Sequence, residues 1–116
     1  MKNILIYDDD KEILFLCKII LKKHNFHADT FTRCDDVIRD IHTFKPDFIL
    51  MDLRIPDMGG EEAVKLVKSK EQTKNIPIFL FSANADIDSI CKRVNADGYI
   101  SKPFDIKTFI STIEKT

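Results

Sequence analysis

The chain has 116 residues, 44% hydrophobic and 32% charged, so one folded domain is expected and neither a disordered chain nor a pair of domains fits. Lys and Arg number 18 against 19 Asp and Glu, a formal charge of −1 without any basic run, which leaves nothing to grip a nucleic-acid backbone. No apolar stretch approaches the ~20 residues of a membrane span, and Met1-Lys2 lead directly into Ile4-Leu5-Ile6-Tyr7 without a secretory cleavage site, so a cytoplasmic location is expected.

The first strand is predicted at Ile4 to Tyr7, followed by a one-sided helix with apolar residues at Ile13, Leu16, Cys17 and Ile20. A weaker strand over Phe26 to Phe31 precedes a helix marked by Val37, Ile38, Ile41 and Phe44; Thr32 with Asp35 three residues on has the spacing of a capping box at its start. Phe48 to Met51 reads as a third strand, apolar at every position as a strand covered on both faces must be, and Ala63, Leu66 and Val67 mark the third helix. Ile76 to Phe81 is the fourth strand, and Ile87, Ile90, Cys91 and Val94 the fourth helix. Tyr99 and Ile100 form a short fifth strand before the helix of Ile106, Phe109, Ile110 and Ile113, with Asp86 and Asp105 at the N-caps of the last two helices. Five strands alternating with five one-sided helices predict an α/β, doubly wound parallel sheet, because right-handed crossovers put helices on both of its faces.

Ligand sites of such sheets lie beyond the carboxyl ends of the strands. There the sequence places Asp8, Asp9 and Asp10 after the first strand, Asp52 after the third, Ser82 after the fourth, and Ser101 and Lys102 before Pro103 after the fifth. Clustered carboxylates raise one another's pKa until a cation neutralises them, and a few oxygen ligands favour Mg²⁺. Asp52, at the end of the central strand, has the chemistry of a nucleophile towards phosphorus; Lys102 can balance charge and Ser82 can donate to a phosphoryl oxygen. Singly, each residue has a plainer reading: helix capping for the acidic triplet, a loop start for Asp52, a loop hydroxyl for Ser82, a solvated turn for Lys102. Their arrival after four different strands of one sheet is what makes them a site.

The runs Ile4-Leu5-Ile6-Tyr7-Asp8-Asp9-Asp10, Ile49-Leu50-Met51-Asp52-Leu53-Arg54-Ile55-Pro56-Asp57-Met58-Gly59-Gly60, Phe81-Ser82-Ala83 and Ala96-Asp97-Gly98-Tyr99-Ile100-Ser101-Lys102-Pro103-Phe104 come in an order and spacing that resembles the receiver domain of two-component response regulators, over essentially the whole chain. The resemblance implies a flavodoxin-like (βα)5 fold with strand order 2-1-3-4-5. It implies Asp52 as the phosphoacceptor, taking a phosphoryl group from a phosphohistidine of a sensor histidine kinase or histidine phosphotransfer protein in a Mg²⁺-dependent reaction. Asp9 would be the side-chain metal ligand and Asp8 would act through metal-bound water, with Asp52 and the backbone carbonyl of Arg54 completing the set. Asp10 reads as a helix-start residue. Lys102 would pair with Asp52 and then with the phosphoryl oxygens, and its bond to Pro103 would be cis. Ala83 would leave a path for the incoming group, Arg54 and Asn84 would flank the path of the hydrolytic water, and Ser82 and Tyr99 would carry the switch.

Departures from the family pattern are few. Tyr7 stands where an aliphatic residue is usual, so its phenol must find a partner or water near the metal site. Ile55 for methionine and Ser82 for threonine keep size and chemistry, and Gly59-Gly60 give the loop two permissive positions.

The leading expectation is a single-domain response regulator: residues 1–116 as the receiver with no output domain after Thr116, a diffusible switch or phosphorelay intermediate. It would catalyse its own phosphorylation and dephosphorylation, contact a downstream protein target, and be a monomer or a weak phosphorylation-dependent dimer, with no direct nucleic acid and no membrane insertion. One alternative is an aspartate-nucleophile phosphatase of the haloacid-dehalogenase type using Asp8 and Asp10, against which Glu12 stands where that pattern needs threonine. Another is a phosphorylation-independent binding module, against which the full set of Asp9, Asp52, Ser82 and Lys102 argues. Cys17, Cys34 and Cys91 are too scattered for a zinc site or disulfide framework and read as reduced, buried thiols; His24, His27 and His42 read as solvated.

Overall fold

Strands that are apolar on both sides need cover on both sides, and alternating helices supply it. Residues 1–116, all described by the computed structural model, run β1 (Lys2–Tyr7), α1 (Lys11–Lys23), β2 (Phe26–Phe31), α2 (Val37–Phe44), β3 (Phe48–Met51), α3 (Gly60–Ser69), β4 (Ile78–Ser82), α4 (Ile87–Val94), β5 (Gly98–Ser101) and α5 (Ile106–Glu114). The five strands are parallel, in the order β2-β1-β3-β4-β5, as expected. All four residues of the central β3 are buried, whereas the edge strand β5 buries only Ile100. No helix is long and apolar enough to cross a membrane.

Side chains alternate across each strand, which splits the core into two layers. Leu5, Tyr7, Ile49, Met51, Ile78 and Leu80 face α2, α3 and α4, while Ile4, Ile6, Phe48, Leu50 and Phe81 face α1 and α5. Order reverses between β1 and β3, so the crevice opens above those two strands.

Two local expectations are corrected. The buried stripe of α1 is Leu14, Cys17, Ile20 and Leu21; Leu16 is turned out with Phe15 and Ile19. Helix α1 is apolar on more than one side, so spacing alone did not select the inner face. The Thr32/Asp35 capping box does not form either: α2 starts at Val37 behind Asp36, whose side chain makes no capping bond. Cys34 is fully buried and draws this segment into the core, its thiol donating to the Met58 carbonyl at 3.0 Å, so the helical ladder begins later. Asp105 does cap α5 through Thr108 N–H, and Asp10 caps α1 through the N–H groups of Glu12 and Ile13.

Candidate phosphoryl-acceptor site

Pairing of Tyr7 with Met51 brings the ends of β1 and β3 level, so that Asp8 and Asp52 leave the sheet side by side. Their backbones are tied into it: Asp52 N–H donates to Tyr7 O at 2.9 Å, and Asp8 N–H to Phe31 O at 3.1 Å. Asp8 is fully buried, with Oδ1 accepting from Asp10 N–H at 2.9 Å and Oδ2 from Lys102 Nζ at 2.6 Å. Asp52 is buried too, whereas Asp9 is exposed at the mouth. Carboxylate oxygens of Asp8, Asp9 and Asp52 lie within 4.8 Å of one another, close enough to share one cation. Three carboxylates against the single Lys102 ammonium leave a formal charge of −2, and that deficit is what a divalent ion would fill.

Burial and the neighbouring charges both act on the central group. Burial first, then the charge of Asp8, push the Asp52 carboxyl up to about 6, while Lys102 and the backbone N–H of Arg54 pull it down. The thiols take no part, because burial pushes Cys17 up to about 12 and Cys34 up to about 11.

From the other half of the sheet, β4 brings Ser82, buried, whose Oγ accepts from Asn84 N–H at 3.1 Å and keeps its own hydrogen to donate. Lys102 N–H donates to Ser82 O at 2.9 Å, fixing the start of the β5–α5 loop against β4, and the Lys102-Pro103 bond is cis, as the resemblance implies. The cavity enclosed by Asp8, Asp9, Asp52, Arg54, Ser82 and Lys102 measures about 320 Å³, with Ala83 and Asn84 also on its wall. Tyr99 lies outside it, 38% exposed on β5.

Three details depart from expectation. Lys102 is closer to Asp8 (2.6 Å) than to Asp52 (3.7 Å), so Asp8 is the main anchor of the ammonium. The phenol of Tyr7 points away from the acidic pocket: strand alternation sends it into the helical layer, where it donates to Asp40 Oδ2 at 2.8 Å and stacks on Phe31. Asp40 was invisible to sequence reasoning, since one polar residue on an amphipathic helix gives no sign of being buried. Nor are Gly59 and Gly60 needed for their conformational freedom, as neither has positive φ. Gly60 is needed for space: a Cβ there would lie 2.0 Å from the Asp52 carbonyl oxygen, whereas at Gly59 it would meet nothing within 4 Å. The first turn of α3 thus packs directly on the backbone of the central carboxylate.

A doubly wound parallel sheet whose switch point holds a metal-competent carboxylate cluster, faced by a hydroxyl and an ammonium, defines an α/β phosphoryl-handling module. Residues 4–114 match the response regulator receiver domain, and the chain belongs to that family, the phosphoacceptor modules of two-component and phosphorelay signalling. It is 30% identical over 115 residues to the DNA-binding transcriptional regulator NtrC of Proteus hauseri, spanning 97% of this chain but only 24% of that protein. Among solved structures it resembles the chemotaxis protein CheY4 of Vibrio cholerae, with a TM-score of 0.89 at 26% identity over 99% of this chain and 98% of that one. It also shares the fold of the receiver domain of sensor histidine kinase PA1611 from Pseudomonas aeruginosa, which has a magnesium ion in its active-site cleft; the TM-score is 0.88 at 21% identity over 98% and 95% of the two chains.

Proposed function

We propose that Asp52 is the residue phosphorylated and that Asp8, Asp9, Ser82 and Lys102 serve it. The observation that carries this reading is the burial of Asp52 in a pocket where the nearest cation, Lys102, is already held by a neighbouring carboxylate. An oxygen of Asp52 attacks the phosphorus of a phosphohistidine in line; the P–O bond forms as the P–N bond breaks, and the imidazole nitrogen leaves with the electron pair and takes up a proton. Lys102 offsets charge on the phosphoryl oxygens, and the Ser82 hydroxyl donates to one of them. Asp9, Asp52 and the carbonyl of Arg54 would hold Mg²⁺, with Asp8 acting through its water; the closeness of the Asp8, Asp9 and Asp52 carboxylates supports a cation here, and the PA1611 receiver carries magnesium in its active-site cleft. Bound there, the ion would neutralise the carboxylates and draw charge from the phosphoryl group.

Asp10 is spent on capping α1, which favours this reading over a phosphatase that would use it as an acid. The donor is a sensor histidine kinase or a histidine phosphotransfer protein in the cytoplasm, and the output is altered contact with a downstream protein. Ser82, drawn towards the phosphoryl group, and the half-exposed Tyr99 on the neighbouring strand transmit the change.

Incubation with acetyl phosphate and Mg²⁺, followed by intact-mass measurement, should show one added phosphoryl group. Asp52→Asn and excess EDTA should each abolish it; undiminished labelling in either case overturns the assignment.

A further inference from the structure

The Lys102 ammonium has a third neighbour that is not a carboxylate. Its Nζ lies over the ring of Phe81, 4.6 Å from the centroid, while Asp8 and Asp52 take its other sides. We propose that Phe81 is a positioning residue for phosphoryl transfer, a cation–π seat that holds Lys102 at the edge of the pocket. This rests on the role given to Lys102 above.

The arrangement follows from strand register. Ser82 points into the pocket, so the preceding Phe81 points to the opposite layer, directly beneath the place where the chain leaves β5. Lys102 N–H is bonded to Ser82 O, so its side chain must cross the end of β4 to reach Asp8 on the far side of β3, and the ring lies under that crossing. Phe81 cannot turn aside. It is fully buried, tilted against Phe104 and Phe109 at centroid distances of 5.4 and 6.0 Å, and those two rings pack on each other at 4.8 Å. The Lys102 side chain is only 16% exposed, so little water competes with the ring, and cation–π attraction is largest under such desolvation. A leucine would keep the layer apolar but would present no negative face to the ammonium. The ammonium sits on a flexible four-carbon stem, and the fixed ring adds a contact from below to those made by Asp8 and Asp52.

Fluorinating a ring drains its quadrupole with little change of shape, which separates the seat from simple packing. The test places 4-fluoro-, 3,5-difluoro- and 3,4,5-trifluorophenylalanine at position 81 of the full chain and measures the initial rate of labelling by acetyl phosphate at saturating Mg²⁺. The rate should fall stepwise with each fluorine, by roughly three- to tenfold across the series; a flat or rising series overturns the proposal. A second readout needs no phosphorylation: in the unmodified protein the ring current should shift the Lys102 ε-methylene NMR signals upfield of those of the other lysines, and Phe81→Leu should abolish that shift. An unshifted signal in the wild-type protein also overturns the seat. If the wild-type protein takes no phosphoryl group, the functional reading of Asp52 and Lys102 falls, while the methylene shift still decides whether the seat exists.

Discussion

The two ends of the β-sheet carry similar residue types and treat them in opposite ways. At the amino end, Lys68 Nζ donates to the carbonyls of Lys74 and Ile76, each at 3.0 Å, and to Asp97 Oδ2 at 2.6 Å; that same carboxylate oxygen accepts from Ile78 N–H at 2.8 Å. Asp47 closes a similar pair with Asn3, through both its backbone and its side chain. Lys68 and Asp97 match in charge there, Asp47 is met by a backbone N–H, and both sets of bonds tie loops to strands. At the carboxyl end, three carboxylates share one ammonium, and the central one is pushed upward in pKa by burial. Charge is paired where Lys68 ties α3 to β4, and left unpaired where the proposed cation and phosphoryl group would bind. Sites of this kind are expected to cost stability in exchange for chemistry.

Breaking the amino end should have the largest effect. Lys68→Ala removes three bonds at once, two to carbonyls and one to Asp97, which is partly exposed and keeps its bond from Ile78 N–H, at a cost of about 2–3 kcal/mol in urea unfolding, with the Mg²⁺ dissociation constant unchanged. A loss of Mg²⁺ affinity in this variant would show that the two ends are coupled.

The carboxyl end should respond with the opposite sign. An unfolded aspartate titrates near 3.8 and folded Asp52 near 6, so the folded state binds more protons between those values. Stability therefore falls as pH rises through that window, and the full penalty is present above it. Asp52→Asn removes the penalty: in EDTA at pH 7 the variant should be more stable by about 1–3 kcal/mol, with the gain shrinking towards pH 4. Destabilisation at pH 7 would break the contrast between the two ends.

Tyr7→Phe tests whether the buried polar pair beside the site belongs with the matched group. Asp40 would lose its donor while remaining 7% exposed, at a cost of about 1–2 kcal/mol. Because the phenol faces away from the acidic cluster, Mg²⁺ affinity should hold; a large rise in the dissociation constant would move Tyr7 into the site. The smallest effect is kinetic. Arg54 is an exposed cation at the pocket wall, able to pair with phosphoryl oxygens or obstruct water, so Arg54→Asn should speed loss of the phosphoryl group by a few-fold, roughly 1 kcal/mol or less in barrier. Slower hydrolysis in the variant refutes that role.

Much of this was legible in the order of residues. Apolar runs such as Phe48–Met51 and the helical spacing of Val94 with Ile87, Ile90 and Cys91 report a local period, and a chain alternating those periods has few topologies open to it. Since strand ends bound the runs, the order of residues alone puts Asp8, Asp9, Asp52, Ser82 and Lys102 at one edge of the sheet. Choices among near-equal local options were left to tertiary structure. Helix α1 has apolar residues on two sides, and only its fit against β1 and α5 selects Leu14 over Leu16. Cys34, drawn under Met58, decides where α2 begins. Which carboxylate anchors Lys102, where the Tyr7 phenol is satisfied, why Gly60 has no room for a side chain, and which ring lies beneath the ammonium all depend on groups far apart in the chain meeting within a few ångströms. Periodicity encodes which face a residue takes, while its partners on that face are set only when the layers close and each buried donor, acceptor and charge must find a match.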